Sequence, residues 1–184
     1  MRDCPEPDEP REAALWAAIS DIGAAVQQGD EEGLVAAVEA VRQIPIDLER
    51  MTNAVHVPSD AREYEDAPRT LLERIPDGWG RWIQCGPGWY PILARLDDRL
   101  EAIAPDYQVL QIKEKFGTLR FYLGNGYHQL GEAAVAEAEG ESARTCELCG
   151  NPGRLRVRNS WYRTVCDDCA RSGGYQDLPD DGED

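Results

Sequence analysis

The feature that most constrains this chain is a CxxC–x16–CxxC spacing: Cys146-Glu-Leu-Cys149 and Cys166-Asp-Asp-Cys169. A Cys-x-x-Cys turn places two sulfurs on one side of a tight loop. Two such turns supply a tetrahedral thiolate cage of the kind Zn²⁺ accepts readily. Between the pairs, LRVR (155–158) and WYRTV (161–165) read as short strands joined by a turn at Asn159-Ser160. Knuckle, hairpin, knuckle is the order of a zinc ribbon. The competing reading, a pair of redox dithiols, needs a flanking βαβ pattern, and neither CxxC has one. The expected cofactor is therefore a structural Zn²⁺ on Cys146, Cys149, Cys166 and Cys169. With all four positions taken by protein, no site stays open for water or substrate. Cys4 and Cys85 are left over as free thiols.

Upstream of the ribbon, the clearest β signal is YQVLQIKEKFGTLRFYLGNG (107–126). Leu110, Ile112 and Phe116 alternate with polar residues, and Leu119, Phe121 and Leu123 do so after Gly117. The pattern predicts an antiparallel hairpin with one face on the core. Its other face carries Gln111, Lys113, Lys115, Thr118, Arg120 and Tyr122. An amphipathic helix over 88–104 precedes it, with Trp89, Ile92, Leu93, Leu96, Leu100 and Ile103 on one side and Asp97, Asp98 and Glu101 on the other. A helix over 129–143 leads into the first knuckle. Residues 45–87 are punctuated by prolines, with a short helix expected at 68–75. Trp79, Trp82 and Trp89 read either as filler over a core edge or as a contact surface.

At the N-terminal end, helices are predicted over 10–27 and 31–43. Gly29 stops the first and Asp30 caps the second. Leu15, Ile19, Ile22 and Val26, with Trp16 beside them, stripe one helix; Leu34, Val35, Val38 and Val41 stripe the other. The pair resembles a single tetratricopeptide-like hairpin, but solenoids need about three repeats to be stable. An ordinary helical hairpin is the simpler reading.

Charge narrows the function classes. The 184 residues include 19 Lys and Arg against 35 Asp and Glu, a net charge of −16. That balance argues against a general nucleic-acid binder and against a binder of anionic membrane. It suits a protein that meets a basic partner, or one that simply stays soluble. Residues 144–176 reverse the trend, with six basic and three acidic side chains. Arg144, Arg154, Arg156, Arg158, Arg163 and Arg171 there can offset the formal −2 of four thiolates and one Zn²⁺, or offer a nucleic-acid surface. The first dozen residues are acidic and Pro-rich without an apolar core, and no apolar run approaches 18 residues. A cytoplasmic protein without membrane contact is the expectation.

A search for catalysis finds little. His56 and His128 have no nucleophile at a productive spacing, and no P-loop, dinucleotide fingerprint, HExxH, GxSxG or deaminase signature occurs. No catalytic residue is nominated and no enzyme is expected.

The run GWYPIL…IKEKFGTLRFYLGN, then AVAEAEGES, CELCG–PG and WYRTVCDDC, resembles a group of short bacterial and prophage-encoded proteins without an assigned activity. In that group a KFG-LRFY hairpin precedes an AE-S helix and a Cys₄ ribbon. The resemblance covers about 86–170 and implies the same architecture and zinc.

The resulting expectation is an α+β fold. A helical N-terminal part packs, together with the 88–104 helix, on a small antiparallel sheet, and a C-terminal zinc ribbon closes the end. Four regions follow: a helical hairpin (1–60), an α+β core (61–143), the ribbon (144–176) and an acidic disordered tail (177–184). The leading function is neutralisation of a basic protein. Its most concrete forms are an immunity protein against a toxin acting on nucleic acid or nucleotides, and a phage-type inhibitor. The alternatives are a zinc-ribbon regulator or adaptor that touches nucleic acid, and an unrecognised enzyme. The candidate contact residues are Trp79, Trp82, Lys113, Lys115, Arg120 and Tyr122.

Overall fold

The Phe116-Gly117 dipeptide organises the largest sheet. Both residues have positive φ, 54° and 78°. That is the requirement of a two-residue hairpin turn whose twist matches its strands. The turn joins β3 (Val109–Lys115) to β4 (Thr118–Leu123) in the register Lys115↔Thr118, Lys113↔Arg120 and Ile112↔Phe121. These assignments come from a computed structural model describing residues 9–44, 47–61, 64–124 and 129–178, with side chains omitted at 9–13, 16 and 48. Cys4, Pro45, His128 and the Trp16 side chain lie outside the described residues.

The chain divides into two compact units, Met1–Ala54 and Val55–Asp184. The first holds α1 (Glu9–Gln28), α2 (Glu31–Gln43) and α3 (Leu48–Asn53). Gly29, at φ 67°, ends α1 in the left-handed region, and the Asp30 carboxylate accepts from Gly33 N at 2.9 Å to cap α2. Of the expected stripes only Leu15 is buried among the described residues, and the other buried positions are alanines. Leu15, Ala18, Ala25 and Ala37 are covered, whereas Ile19, Val26, Val35 and Val38 are exposed. Small side chains let two helices approach closely, and that contact runs along the alanine rows instead of the valines.

In the second unit β1 (Val55–His56), α4 (Asp66–Glu73), β2 (Arg81–Gln84), α5 (Tyr90–Ile103) and β3 alternate, and a 3-10 turn at Pro87–Trp89 leads into α5. Such alternation gives parallel neighbours. β1 pairs parallel with β2, and β2 parallel with β3. The sheet, ordered β1-β2-β3-β4, is therefore mixed. Only its β3–β4 hairpin has the antiparallel pairing expected for the whole. His56 lies on β1.

Leu71, Leu72 and Ile75 pack with Leu93, Leu96 and Leu100 of α5, and with Val109, Ile112, Leu119 and Phe121 of the sheet, in one core. Two expected core positions differ. A bulge between Val109 and Gln111 places Val109 inward with Ile112 and leaves Leu110 half-buried. Phe116, as a turn residue, is 67% exposed. Asp97, expected on the solvent side of its helix, is buried. It accepts from Arg74 Nε at 3.0 Å and from the Tyr107 hydroxyl, and the Arg74 guanidinium lies 4.2 Å from the Tyr107 ring centroid. A buried carboxylate is tolerated when so paired.

The last strand edge is closed by α6 (Gln129–Ser142). In this register the N–H groups of Leu119 and Phe121 point away from β3. Ser142 Oγ accepts the first at 2.9 Å and Glu139 Oε1 the second at 3.1 Å. A helix thus supplies the partners an edge strand lacks. Arg95–Glu141 and Arg99–Glu137 ion pairs tie α6 to α5 at 2.5 and 2.6 Å.

The ribbon is a second sheet, ordered β6-β5-β7 and wholly antiparallel, with β5 at Arg154–Arg158, β6 at Trp161–Val165 and β7 at Gln176–Asp177. The fold is α+β, as expected. Asp177, expected in the acidic tail, pairs with Arg156 as a strand residue; residues 179–184 lie outside the described residues. Among the described residues no helix is long and apolar enough to cross a membrane.

Truncating Phe121, which is buried against both helices and sheet, leaves a cavity and should cost about 3–5 kcal/mol. Arg120→Ala, on the opposite face, should cost less than about 1 kcal/mol. Denaturant unfolding of the two variants checks the register: equal losses would place the wrong side of β4 inward.

Candidate metal centre

The second cysteine pair sits where a strand turns into a helix. β6 ends at Val165, and Cys166 caps α7 (Asp167–Gly173), its sulfur accepting from Cys169 N at 3.5 Å. That N–H lowers the Cys166 thiol to about 7, towards the thiolate that binds metal. The first pair lies on a loop. Cys146 N donates to Asn151 O at 2.7 Å, and Gly150 N returns to Cys146 O at 2.9 Å. Gly150 has φ 77°, where glycine carries no side-chain penalty.

The four sulfurs lie within 4.8 Å of one another. Cys149 is 3.6 Å from both Cys166 and Cys169. Sulfurs placed tetrahedrally about an ion at a Zn–S length of 2.3 Å stand about 3.8 Å apart, whereas a disulfide needs about 2.05 Å. The spacing fits a shared ion, and the thiols are free. Desolvation pushes the Cys149 and Cys169 thiols up. Four thiolates together therefore need a cation among them, and Cys146, Cys149, Cys166 and Cys169 could hold one.

Around this cage the sequence hides its most informative residues. Glu147, between the first two cysteines, is 1% exposed. Its Oε1 accepts from Gly86 N at 2.9 Å, its backbone O accepts from Gly88 N at 2.8 Å, and its N donates to Thr164 O at 2.9 Å. Arg163 Nε stands 2.8 Å from Glu147 Oε2. Burial raises the Glu147 carboxyl, with Arg163 and the Gly86 N–H working against it. Trp89 Nε1 donates to Thr145 O at 2.8 Å. The Gly86–Trp89 strip thus lies directly on the first knuckle. A Cβ on Gly88 would stand 2.1 Å from Cys146 O and 2.5 Å from Gly150 N. A second junction joins the tip of the β3–β4 hairpin to the ribbon. Thr164 Oγ1 donates to Gly117 O at 2.6 Å, and a Cβ on Gly117 would meet Leu155 at 2.2 Å. The Gly-Pro-Gly-Trp spelling was the available signal, since two glycines flanking a proline mark a backbone that something approaches closely.

Four of the ribbon arginines, Arg154, Arg156, Arg163 and Arg171, pair with carboxylates. Arg154 reaches Asp177 at 3.0 and 3.1 Å and Asp167 at 2.9 Å. Arg156 meets Asp177 at 2.9 Å, pairs with Asp167 and donates to Cys166 O at 2.8 Å. These guanidiniums, Arg154 first, hold the Asp177 carboxyl down to about 2. Arg171 pairs with Asp168, and Arg158 donates to Gly173 O at 2.8 Å while lying 4.8 Å from the Tyr175 ring centroid.

The other candidates separate. Trp89 is core. Trp79 is 57% exposed in the loop before β2. Trp82, Lys113, Lys115, Arg120 and Tyr122 share the sheet face opposite the core by register. Burial pushes the leftover Cys85 thiol far up.

A scan against protein-family models finds none that matches this chain, and searches of curated proteins and of solved structures return no significant match.

One metal ion per chain is expected by elemental analysis. It should be lost in Cys149→Ser, which leaves three thiolates, and kept in Cys85→Ser. Gly88→Ala drives a methyl into the knuckle backbone and should cost at least about 2 kcal/mol. Gly140→Ala, with nothing within 4 Å of the added carbon, should instead stabilise by about 0.4–1 kcal/mol. Denaturant midpoints of the two variants compare the effects directly.

Proposed function

We propose that the chain is a zinc-stapled protein-binding module whose acidic surface neutralises a basic protein. One observation carries this reading. Five of the six arginines that make residues 144–176 locally basic are held by internal partners: Arg154, Arg156, Arg163 and Arg171 by carboxylates, and Arg158 by a helix-end carbonyl and a ring. The surplus behind the net charge of −16 is therefore not masked by a free basic ribbon, and the ribbon offers little to a phosphate backbone. Zn²⁺ is the ion that best fits four thiolates at tetrahedral spacing, and in a closed set it acts as a structural staple.

The most concrete form is an immunity protein for a toxin acting on nucleic acid or nucleotides; a phage-encoded inhibitor uses the same physics. Such toxins hold their substrates in basic clefts, and an acidic protein can fill one. Opposite charge speeds encounter more than it strengthens the final complex. A basic protein should co-purify with the chain from its native host. Its association rate should fall steeply between 0.01 M and 0.15 M salt, as the Debye length drops from about 30 Å to about 8 Å. A gel-shift titration with duplex DNA and RNA at 0.15 M salt should show no complex. Micromolar or tighter binding there would overturn the neutraliser reading in favour of a nucleic-acid regulator.

A further inference from the structure

The chain contains only two lysines, Lys113 and Lys115, against 17 arginines. Both stand on the same face of β3, two residues apart. Neither meets a carboxylate among the described residues. Lys113 Nζ lies 5.4 Å from the Tyr122 ring centroid, and Lys115 Nζ lies 5.5 Å from that of Phe116. The register places His56, Trp82, Gln84, Gln111, Lys113, Lys115, Thr118, Arg120 and Tyr122 on this side of the sheet, without a single Asp or Glu. Trp82 and Tyr122 are 40% and 41% exposed. Arg120 is the one cation there with a carboxylate in reach, Glu139 at 3.8 Å. The division of labour is chemical. Arginine, planar and forked, builds the internal ion pairs, while lysine, a mobile point charge, is reserved for this face.

We propose that this face of the sheet docks an extended acidic segment of a partner protein. Two lysines two residues apart on a strand are rooted at a backbone repeat of about 6.6–6.8 Å. Acidic residues at alternate positions of an extended chain are rooted at the same repeat. Flanking Trp82, Tyr122 and Phe116, partly covered on their faces, supply exposed ring edges for side chains between them, and Gln84 and Gln111 supply amides for its backbone.

A single-stranded nucleic acid is the other polyanion such a platform suggests, and two observations disfavour it. Base stacking needs open ring faces, yet ammonium groups lie over Tyr122 and Phe116, and the His56 ring packs on Trp82 at 5.9 Å. The net charge also repels a long polyanion more than a short segment with a few carboxylates. This surface has the opposite sign to the one invoked for neutralisation and does not depend on it.

The test is fluorescence anisotropy of the full chain with a rhodamine-labelled decapeptide of alternating Glu and Tyr, beside a labelled ten-nucleotide oligothymidylate, at 0.05 M salt. Saturable peptide binding at roughly 10–100 μM is expected, weakened at least about tenfold by joint Lys113→Glu and Lys115→Glu substitution. Lys113→Arg with Lys115→Arg should restore it, and metal content should be unchanged in both variants. No saturable binding, binding indifferent to charge reversal, or tighter binding of the oligonucleotide than of the peptide would each overturn the proposal.

Discussion

The hydrogen bonds that Gly86, Gly88 and Trp89 donate to Thr145 and Glu147 of the first knuckle are the interaction on which the second unit turns. The strip ends β2 and begins α5, so it belongs to the core. The knuckle supplies half of the thiolate cage. Glu147 joins them from inside the CxxC, accepting from Gly86, receiving Gly88 on its carbonyl and facing Arg163 of the ribbon. A buried carboxylate is costly unless every oxygen finds a donor or a cation. Glu147 therefore demands that strip, knuckle and ribbon be in place together. An ion on the four sulfurs would hold the knuckle in that shape, and its binding energy would become folding energy for the ribbon and for the edge of the core beneath it.

The same economy explains the sheet. β1 has two residues and β2 four, too few to stand alone. They persist because α4 and α5 lie against one side, α6 closes the β4 edge through Ser142 and Glu139, and the ribbon seats the hairpin tip at Gly117. What remains of this sheet is the face opposite the core, which carries both lysines and the exposed Trp82 and Tyr122. Structural demands thus account for most arginines, and both lysines are left on this one surface.

How much of this was legible follows from the reach of each signal. The cysteine spacing, the Phe116-Gly117 hairpin, the 88–104 helix and the β5–β6 hairpin were readable because each is local. The Asp30 cap was read for the same reason. β1 and β2 were missed because two and four residues carry no period, and with them the parallel pairing. Phe116 was placed in the core by alternation, which a two-residue turn interrupts. Asp97 was placed in solvent because nothing nearby in sequence announces Arg74 or Tyr107. Glu147 was overlooked between two cysteines, since its partners lie 61 positions upstream at Gly86 and on another strand at Arg163. The ribbon arginines were read as a group, but not the carboxylates at 167, 168 and 177 that hold Arg154, Arg156 and Arg171.

Amide hydrogen exchange with and without metal chelation tests the central claim, that the metal site and the core edge form one cooperative unit. The account predicts that removing the ion strips protection from Cys146, Glu147 and Gly150 and, together with them, from Gly86 and Gly88, while Ile112 in the middle of the sheet keeps more of its protection. If Gly86 and Gly88 stayed as protected as in the metal-loaded protein while the knuckle amides exchanged freely, the ribbon would be an independent appendage and the coupling through Glu147 would be contradicted.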